Sequence, residues 1–322
     1  MSKNVQKSKN NDYTIIGIDG GGTRTRGSLY REGKIIAQTN SGTTRIGSVG
    51  VGESCERLLN VIADLCEQTQ IDSSELDAVI IGLAGVWLED EKKRSAHLLK
   101  TLARGQKMTL NDLIVVSDAE LALHGALDAD EQGMILICGT GSIGLARIGK
   151  DVINRCGGWG IEIDDEGSGA WIGREGLTAV VRAIDGRGKK TVLTDKLTEL
   201  FPNIDIDQPR TIVKAYAERA FEYQMFTPLV MKCAEQGDAV CLDIITRSCF
   251  HLMELLNALQ KPYGNKVTPI ALMGRIIDAN TLLAKMLEAE IKKHKKLKRI
   301  QPKGTAIDGA IAMGMQLIED MD

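Results

Sequence analysis

The stretch Thr14–Gly27 reads TIIGIDGGGTRTRG, and the way an apolar run gives out into an acid, three glycines and a hydroxyl is what decides the fold. A buried strand ending at Asp19 and followed by Gly20, Gly21 and Gly22 is backbone stripped of side chains, which lets an anionic group come close to free N–H donors. The same stretch continues into a second strand near 26–31, and Arg31-Glu32-Gly33-Lys34 reads as the turn into a third near 34–39.

Working outward, a helix is predicted over about 51–69, and Asp77–Leu83 and Leu113–Val116 are short buried strands separated by a polar, Lys/Arg-rich helix. The pattern then starts again. Gly133–Cys138 is an apolar strand, Gly139-Thr140-Gly141-Ser142 a glycine and hydroxyl loop, Leu145–Ile148 a strand, Gly149-Lys150-Asp151 a turn and Val152–Arg155 a strand. This repeat of architecture predicts two similar α/β lobes, each offering a glycine loop to a shared cleft. Beyond Gly167 the chain becomes strongly helical, with patterns near 168–184, 191–200, 208–236 and 238–260. A late strand at 268–272 and a closing helix at 304–318 complete it.

At 322 residues and 43% hydrophobic content, about two domains are expected. A net charge of −3, 4% aromatic residues and no alternation of basic with aromatic residues turn the reading away from nucleic acid and toward a small-molecule partner. Residues 1–12 are polar and Lys/Asn-rich, and no run of apolar residues has membrane-spanning length, so a disordered leader on a cytoplasmic protein without membrane attachment is expected. Seven cysteines without a CxxC pair and four scattered histidines give neither a disulfide framework nor a metal spacing. Cys55 and Cys66 share the apolar face of a helix with Leu58, Leu59, Ile62 and Ala63 and read as core. The basic run Lys292–Arg299, KKHKKLKR, reads as a solvated helix end.

Gly139, Gly141 and Gly144 match GxGxxG in form, but that motif must open a helix, whereas 145–155 reads as a hairpin. Neither glycine loop ends in Gly-Lys-Ser/Thr, so a Walker A loop is excluded. Two hairpin loops with N–H groups and the hydroxyls of Thr23, Thr140 and Ser142 suit a polyphosphate, and phosphoryl transfer then needs charge neutralisation and a base near the acceptor hydroxyl. Three carboxylates stand at strand ends or in glycine runs. Asp19 either holds Mg²⁺ through water or caps a turn. Asp118 is either a functional carboxylate or the N-cap of the helix that follows it. Asp165 or Glu166 is placed to start the helix carrying Trp171, to bind ligand, or to do both.

Asp19-Gly20-Gly21-Gly22-Thr23, Ser117-Asp118-Ala119, Gly139-Thr140-Gly141-Ser142, Cys156-Gly157-Gly158-Trp159-Gly160, Asp165-Glu166-Gly167-Ser168 and Trp171-Ile172-Gly173 together resemble the BadF/BadG/BcrA/BcrD ATPase family, and within it the N-acetylglucosamine kinase branch, over about residues 13–318. The resemblance implies an actin-like fold of two ribonuclease-H-like lobes with ATP and sugar in the cleft between them, the second lobe helix-rich. Residues 13–120 would form the first lobe with the helix 304–322 packing back on it, and 121–303 the second. It implies Asp118 as general base, Thr140, Gly158, Trp159, Gly160 and Asp165 as sugar contacts, and Gly20, Gly21, Gly22, Thr23, Gly139, Thr140, Gly141 and Ser142 as phosphate contacts. ATP and Mg²⁺ are the cofactors expected, Asp19 the metal residue, and an amino sugar and a second copy of the chain, in a homodimer, the partners.

Two positions depart from the family pattern. Arg45 stands where the family has a sugar-contacting asparagine, which suggests an anionic group on the substrate such as the lactyl carboxylate of N-acetylmuramic acid. The alternative is an Arg45 facing solvent or a protein carboxylate. In the adenosine loop, Met273 precedes Gly274 where paired glycines are usual, and Arg275 is placed to stack on the base. The activity expected is therefore ATP-dependent phosphorylation of N-acetylglucosamine or N-acetylmuramic acid at the 6-hydroxyl. The alternatives are a glucosamine or other hexose kinase of the same fold, an activator ATPase of a radical dehydratase, and a sugar sensor without turnover.

Overall fold

The computed structural model describes residues 13–149 and 152–321. The leader expected over 1–12, and Lys150 and Asp151 of the expected turn 149–151, lie outside the described residues. The chain divides into two compact units, between Ala129 and Asp130 and again between Pro302 and Lys303, so the C-terminal segment belongs to the first unit.

The first unit is a five-stranded sheet of β1 (Ile15–Gly20), β2 (Arg24–Arg31), β3 (Lys34–Gly42), β4 (Ala78–Leu83) and β5 (Leu113–Ser117) in the order β3-β2-β1-β4-β5. β1 to β3 form an antiparallel meander, and β4 and β5 run parallel to β1. The central strands are apolar on both faces because helices cover both. Ile16 and Ile18 pack with Leu58, Leu59 and Ile62, while Ile15 packs with Ala310 and Ile311. Helices α1 (Ile46–Val49), α2 (Val51–Thr69), α3 (Glu89–Gly105) and α4 (Asp118–Ala126) follow in the chain. The expected turn at Glu32-Gly33 is a left-handed pair, with φ of 51° and 81°, as a tight hairpin requires.

The second unit repeats the topology. β6 (Gly133–Cys138), β7 (Ser142–Gly149), β8 (Val152–Gly157), β9 (Thr268–Met273) and β10 (Leu297–Ile300) lie in the order β10-β9-β6-β7-β8, with the β6-β7-β8 meander antiparallel and β9 and β10 parallel to β6. Its helices are α5 (Gly169–Ile184), α6 (Leu193–Leu200), α7 (Arg210–Ala217), α8 (Thr227–Glu235), α9 (Ala239–Gln260), α10 (Arg275–Asp278) and α11 (Leu282–Lys293). The closing helix α12 (Ala306–Met321) returns to the first unit, where it lies on α4 and β1.

Two expectations are corrected. The single helical pattern over 208–236 is two helices: Arg219, at φ 54°, ends α7 in a left-handed residue, and Pro228 opens α8. The apolar residues between them form an aromatic cluster, Phe221 and Phe226 lying 4.9 Å apart edge to face. The basic run is only partly a helix end: Lys292 and Lys293 finish α11, but Leu297–Ile300 is an edge strand beside β9. Leu297 is buried and Lys298 exposed, the pattern of an edge protected by lysine. Among the described residues, no helix is long and apolar enough to cross a membrane.

Candidate active site

In the first unit the carboxyl ends of three parallel strands meet. Asp19 of β1 is level with Gly82 of β4, which is level with Val116 of β5, and Asp118 stands two residues further on. The order in which α4 begins settles one open alternative: Asp118 is not its N-cap. Ser117 is, with its Oγ accepting from the Glu120 N–H at 3.1 Å, and Glu120 Oε2 in return accepting from the Ser117 N–H at 2.7 Å. Lys92 of α3 donates to Glu120 Oε1 at 2.8 Å and so fixes the carboxylate that completes this reciprocal cap. Asp118 is thereby left as the first helical residue, where one oxygen accepts from the Ala119 N–H at 2.9 Å.

Burial, and secondarily the negative charge of Asp19, push the Asp118 carboxyl up to about 6, against the opposing pull of its neighbouring backbone N–H groups and of Arg45. Asp19 is largely buried and accepts from Arg26 Nη2 at 2.7 Å, across the directly paired positions of β1 and β2. Among the described residues no three His, Cys, Asp or Glu side chains gather into a metal cage. Gly20 closes β1 in a space without room for a side chain, since a Cβ there would lie 2.5 Å from Thr44 Oγ1. Gly21 donates to the Arg24 carbonyl at 3.1 Å, which makes the turn tight, while Gly22 has open space and Thr23 is exposed.

Arg45 immediately precedes α1. Its N–H donates to Thr43 Oγ1 at 3.1 Å and its carbonyl accepts from Ser48 at 2.9 Å, so the backbone is fixed. The exposed side chain runs past Gly85, where a Cβ would stand 3.9 Å from the guanidinium Nε. The first unit thus brings Asp19, Gly20, Arg45 and Asp118 to one sheet end.

The second unit collects the other expected residues. Gly139 donates to the Gly141 carbonyl at 2.9 Å, and the start of α5 docks on the loop, with Gly169 donating to Gly139 O at 2.8 Å and Ala170 to Thr140 O at 2.9 Å. Ser142 is the first residue of β7 rather than part of the loop, and its buried hydroxyl donates to the Glu166 carbonyl at 2.8 Å. Asp165 is held at φ 49°, unusual for a residue with a side chain, and its carboxylate lies against the loop: a Cβ on Gly141 would be 2.8 Å from Asp165 Oδ2. Ser168, not Asp165 or Glu166, caps α5 through its Oγ at 3.2 Å from the Trp171 N–H. Gly144 lies within β7 opposite Leu136 and Cys156, so the GxGxxG spacing opens a strand and not a helix.

After β8 the chain turns through Gly157, Gly158 and Gly160, at φ 76°, 73° and 91°, which leaves Trp159 63% exposed with the Arg155 guanidinium 4.5 Å from its ring centre. Gly274, at φ 103°, lies so close to the end of β6 that a Cβ would be 2.5 Å from the Cys138 carbonyl. Met273 ends β9 half-buried and Arg275 is exposed. Cys138 and Cys156 are both pushed up by burial, Cys138 to about 12, so neither is a ready thiolate. The reading from sequence missed Thr44, Gly82 and the Ser117–Glu120 pair.

The sequence pattern of the BadF/BadG/BcrA/BcrD ATPase family matches residues 16–314. The chain belongs to this family. Within reach of it, the chain is 28% identical over 267 residues to the N-acetylmuramic acid/N-acetylglucosamine kinase of Clostridium acetobutylicum, covering 82% of this chain and 85% of that one. It is 29% identical over 302 residues to a glucosamine kinase of Vibrio cholerae, covering 92% and 94%. A solved structure from Chromobacterium violaceum, assigned provisionally as an N-acetylglucosamine kinase, shares the fold with a TM-score of 0.75 at 26% identity, over 94% of this chain and 99% of that one. In this BadF-family chain the candidate residues of the first unit are charged side chains, and those of the second are mostly glycines and backbone groups.

Proposed function

We propose that this chain is a kinase that transfers the γ-phosphoryl group of ATP to a hydroxyl of an N-acetylated amino sugar, the 6-hydroxyl of N-acetylglucosamine or N-acetylmuramic acid, with Asp118 as general base. One observation carries the reading. Asp118 is relieved of helix capping by Ser117 and is tuned to about 6, so at neutral pH it is ionised yet still basic enough to take a hydroxyl proton. As the sugar oxygen bonds to the γ-phosphorus, its proton passes to Asp118 and the bond to the bridging oxygen breaks with ADP as leaving group.

Gly20–Thr23 and Gly139–Ser142 serve as the phosphate-contacting segments, with the N–H groups of Gly21 and Gly139 already donating inside their own turns, and with Gly274 and Arg275 on the adenosine side. Thr140, Gly158, Trp159, Gly160 and Asp165 serve as sugar contacts. Burial first, and then the charge of Asp19, raise Asp118; a cation would offset the second of these, and carboxylate oxygens next to an open turn suit an ion that keeps most of its water. Asp19 is thus the residue to hold Mg²⁺, which when bound neutralises phosphate charge.

The similarity to the Vibrio glucosamine kinase favours a second reading, in which the acceptor lacks the acetyl group. The activator ATPase reading is disfavoured, because the thiols beside the glycine loops are raised by burial. The test is ATP consumption with Mg²⁺ against N-acetylglucosamine, N-acetylmuramic acid, glucosamine and glucose. Stimulation by an N-acetylated sugar is expected; stimulation by glucosamine alone moves the assignment to the second reading, and no stimulation by any sugar removes the kinase assignment.

A further inference from the structure

We propose that Arg45 binds a carboxylate on the acceptor sugar, so that the preferred substrate is an acidic N-acetylated amino sugar rather than its neutral parent. This rests on the kinase reading above. The backbone around Arg45 is fixed on both sides. Thr44 is fully buried with its hydroxyl 3.0 Å from that of Thr25, and its carbonyl accepts from Ser54 Oγ at 2.6 Å. The Thr43 carbonyl accepts from Arg57 Nη1 at 2.6 Å, and Thr43 Oγ1 donates to Gly21 O at 3.1 Å, which ties the segment to the glycine turn.

Arg26 and Arg57 in the same unit are each spent on a protein carboxylate, Asp19 and Glu53. Among the described residues Arg45 has no such partner, although Asp118 lies within reach of its charge. Its guanidinium passes Gly85, where an added Cβ would stand in ordinary contact 3.9 Å from Nε. A rooted, unpartnered guanidinium beside the base is a poor match for a neutral hexosamine, whose hydroxyls it can contact only as well as water does. A carboxylate offers it two parallel charge-assisted hydrogen bonds. N-acetylmuramic acid, an N-acetylglucosamine bearing a lactyl carboxylate, is the probe of that class.

The test compares wild type, Arg45→Gln and Arg45→Lys with N-acetylmuramic acid and N-acetylglucosamine, by initial rates and by equilibrium binding of each sugar without nucleotide. The expected result is that Arg45→Gln lowers the ratio of kcat/KM for the acidic over the neutral sugar by about tenfold or more, through KM, with a matching loss in binding. Arg45→Lys keeps part of that ratio, since the charge remains and the fork is lost.

A pH readout separates recognition from general damage. The charged groups facing Asp118 are Asp19 from β1 and Arg45. A substrate carboxylate on Arg45 cancels the pull that lowers Asp118, so the acid limb of kcat should lie at higher pH with the acidic sugar than with the neutral one, and the difference should vanish in Arg45→Gln. Equal losses on both sugars would mean that Arg45 serves the phosphoryl group and would overturn the proposal. So would an unchanged ratio, or a wild type that phosphorylates N-acetylglucosamine but not N-acetylmuramic acid, which leaves the kinase reading intact. If neither sugar is phosphorylated, both fall together.

Discussion

In the first unit the turn after the central strand is Gly20–Thr23, and the segment after the third strand carries Thr43, Thr44 and Arg45. In the second unit the corresponding pieces are Gly139–Gly141 and the Gly157–Gly160 turn. The topology is the same, five strands in the same order, but the chemistry differs. The first unit places ionised side chains there, Asp19, Arg45 and Asp118, whose charges act on one another. The second places glycines in left-handed conformations and a loop whose carbonyls are tied to the start of α5. The difference shows how one duplicated framework divides labour: a carboxyl such as Asp118 is tuned by its surroundings, whereas a set of backbone groups needs only rigidity.

The comparison can be broken by single substitutions. The largest effect is expected at Asp118→Asn, a fall in kcat of ~10²–10⁴-fold measured with saturating sugar, while equilibrium sugar binding persists. Joint loss of binding and turnover would remove its role as base. The same variant should be more stable. Because the folded-state value of about 6 lies above the ordinary 3.8, the folded chain holds its proton more readily than the unfolded one, and ionisation costs stability as pH rises between those values. At pH 7 that penalty is fully present, so thermal unfolding of Asp118→Asn should show a gain of about 3 kcal/mol that disappears below pH 4.

The second unit should respond through structure instead. Gly274→Ala forces a Cβ against the Cys138 carbonyl in a left-handed residue and should cost about 2–4 kcal/mol, read by urea unfolding, with activity falling alongside. On the first unit's side, kcat/KM should fall below pH about 6, by about tenfold for each further unit, as Asp118 takes up its proton. A limb near pH 4 would mean that burial and Asp19 do not tune it. The finest comparison uses two caps. Ser117→Ala and Ser168→Ala should each lose about 1 kcal/mol of stability, but Ser117→Ala should lose more turnover, because it frees the start of α4 where the base stands.

Much of this was legible in the sequence. The strand that runs into Asp19 and its glycines, the hairpin at Glu32-Gly33 and the second round of strand, glycine loop and hairpin were readable because buried strands and turns carry local signals. The helix break at Arg219 was not, since the aromatic cluster of Phe221 and Phe226 spaces its apolar residues as a helix would. Nor was β10, whose lysines mask an edge strand as a charge run. The role of Ser117 could have been read: Ser-x-x-Glu at 117–120 is the signature of a reciprocal cap, and it removes the capping alternative for Asp118. The placement of Arg45 beside Asp118 depends on residues distant in sequence, so no local pattern could reveal it.

The start of α4 separates two duties that a single aspartate could have carried. Ser117 and Glu120 hold the helix, with Lys92 steadying Glu120, and residue 118 is left with none of that work. Loss of the acid at 118 is therefore expected to silence the proposed turnover without unfolding the chain. Under the proposed function, one codon change would leave a chain that binds its amino sugar without consuming ATP, a starting scaffold for a sugar-binding reagent.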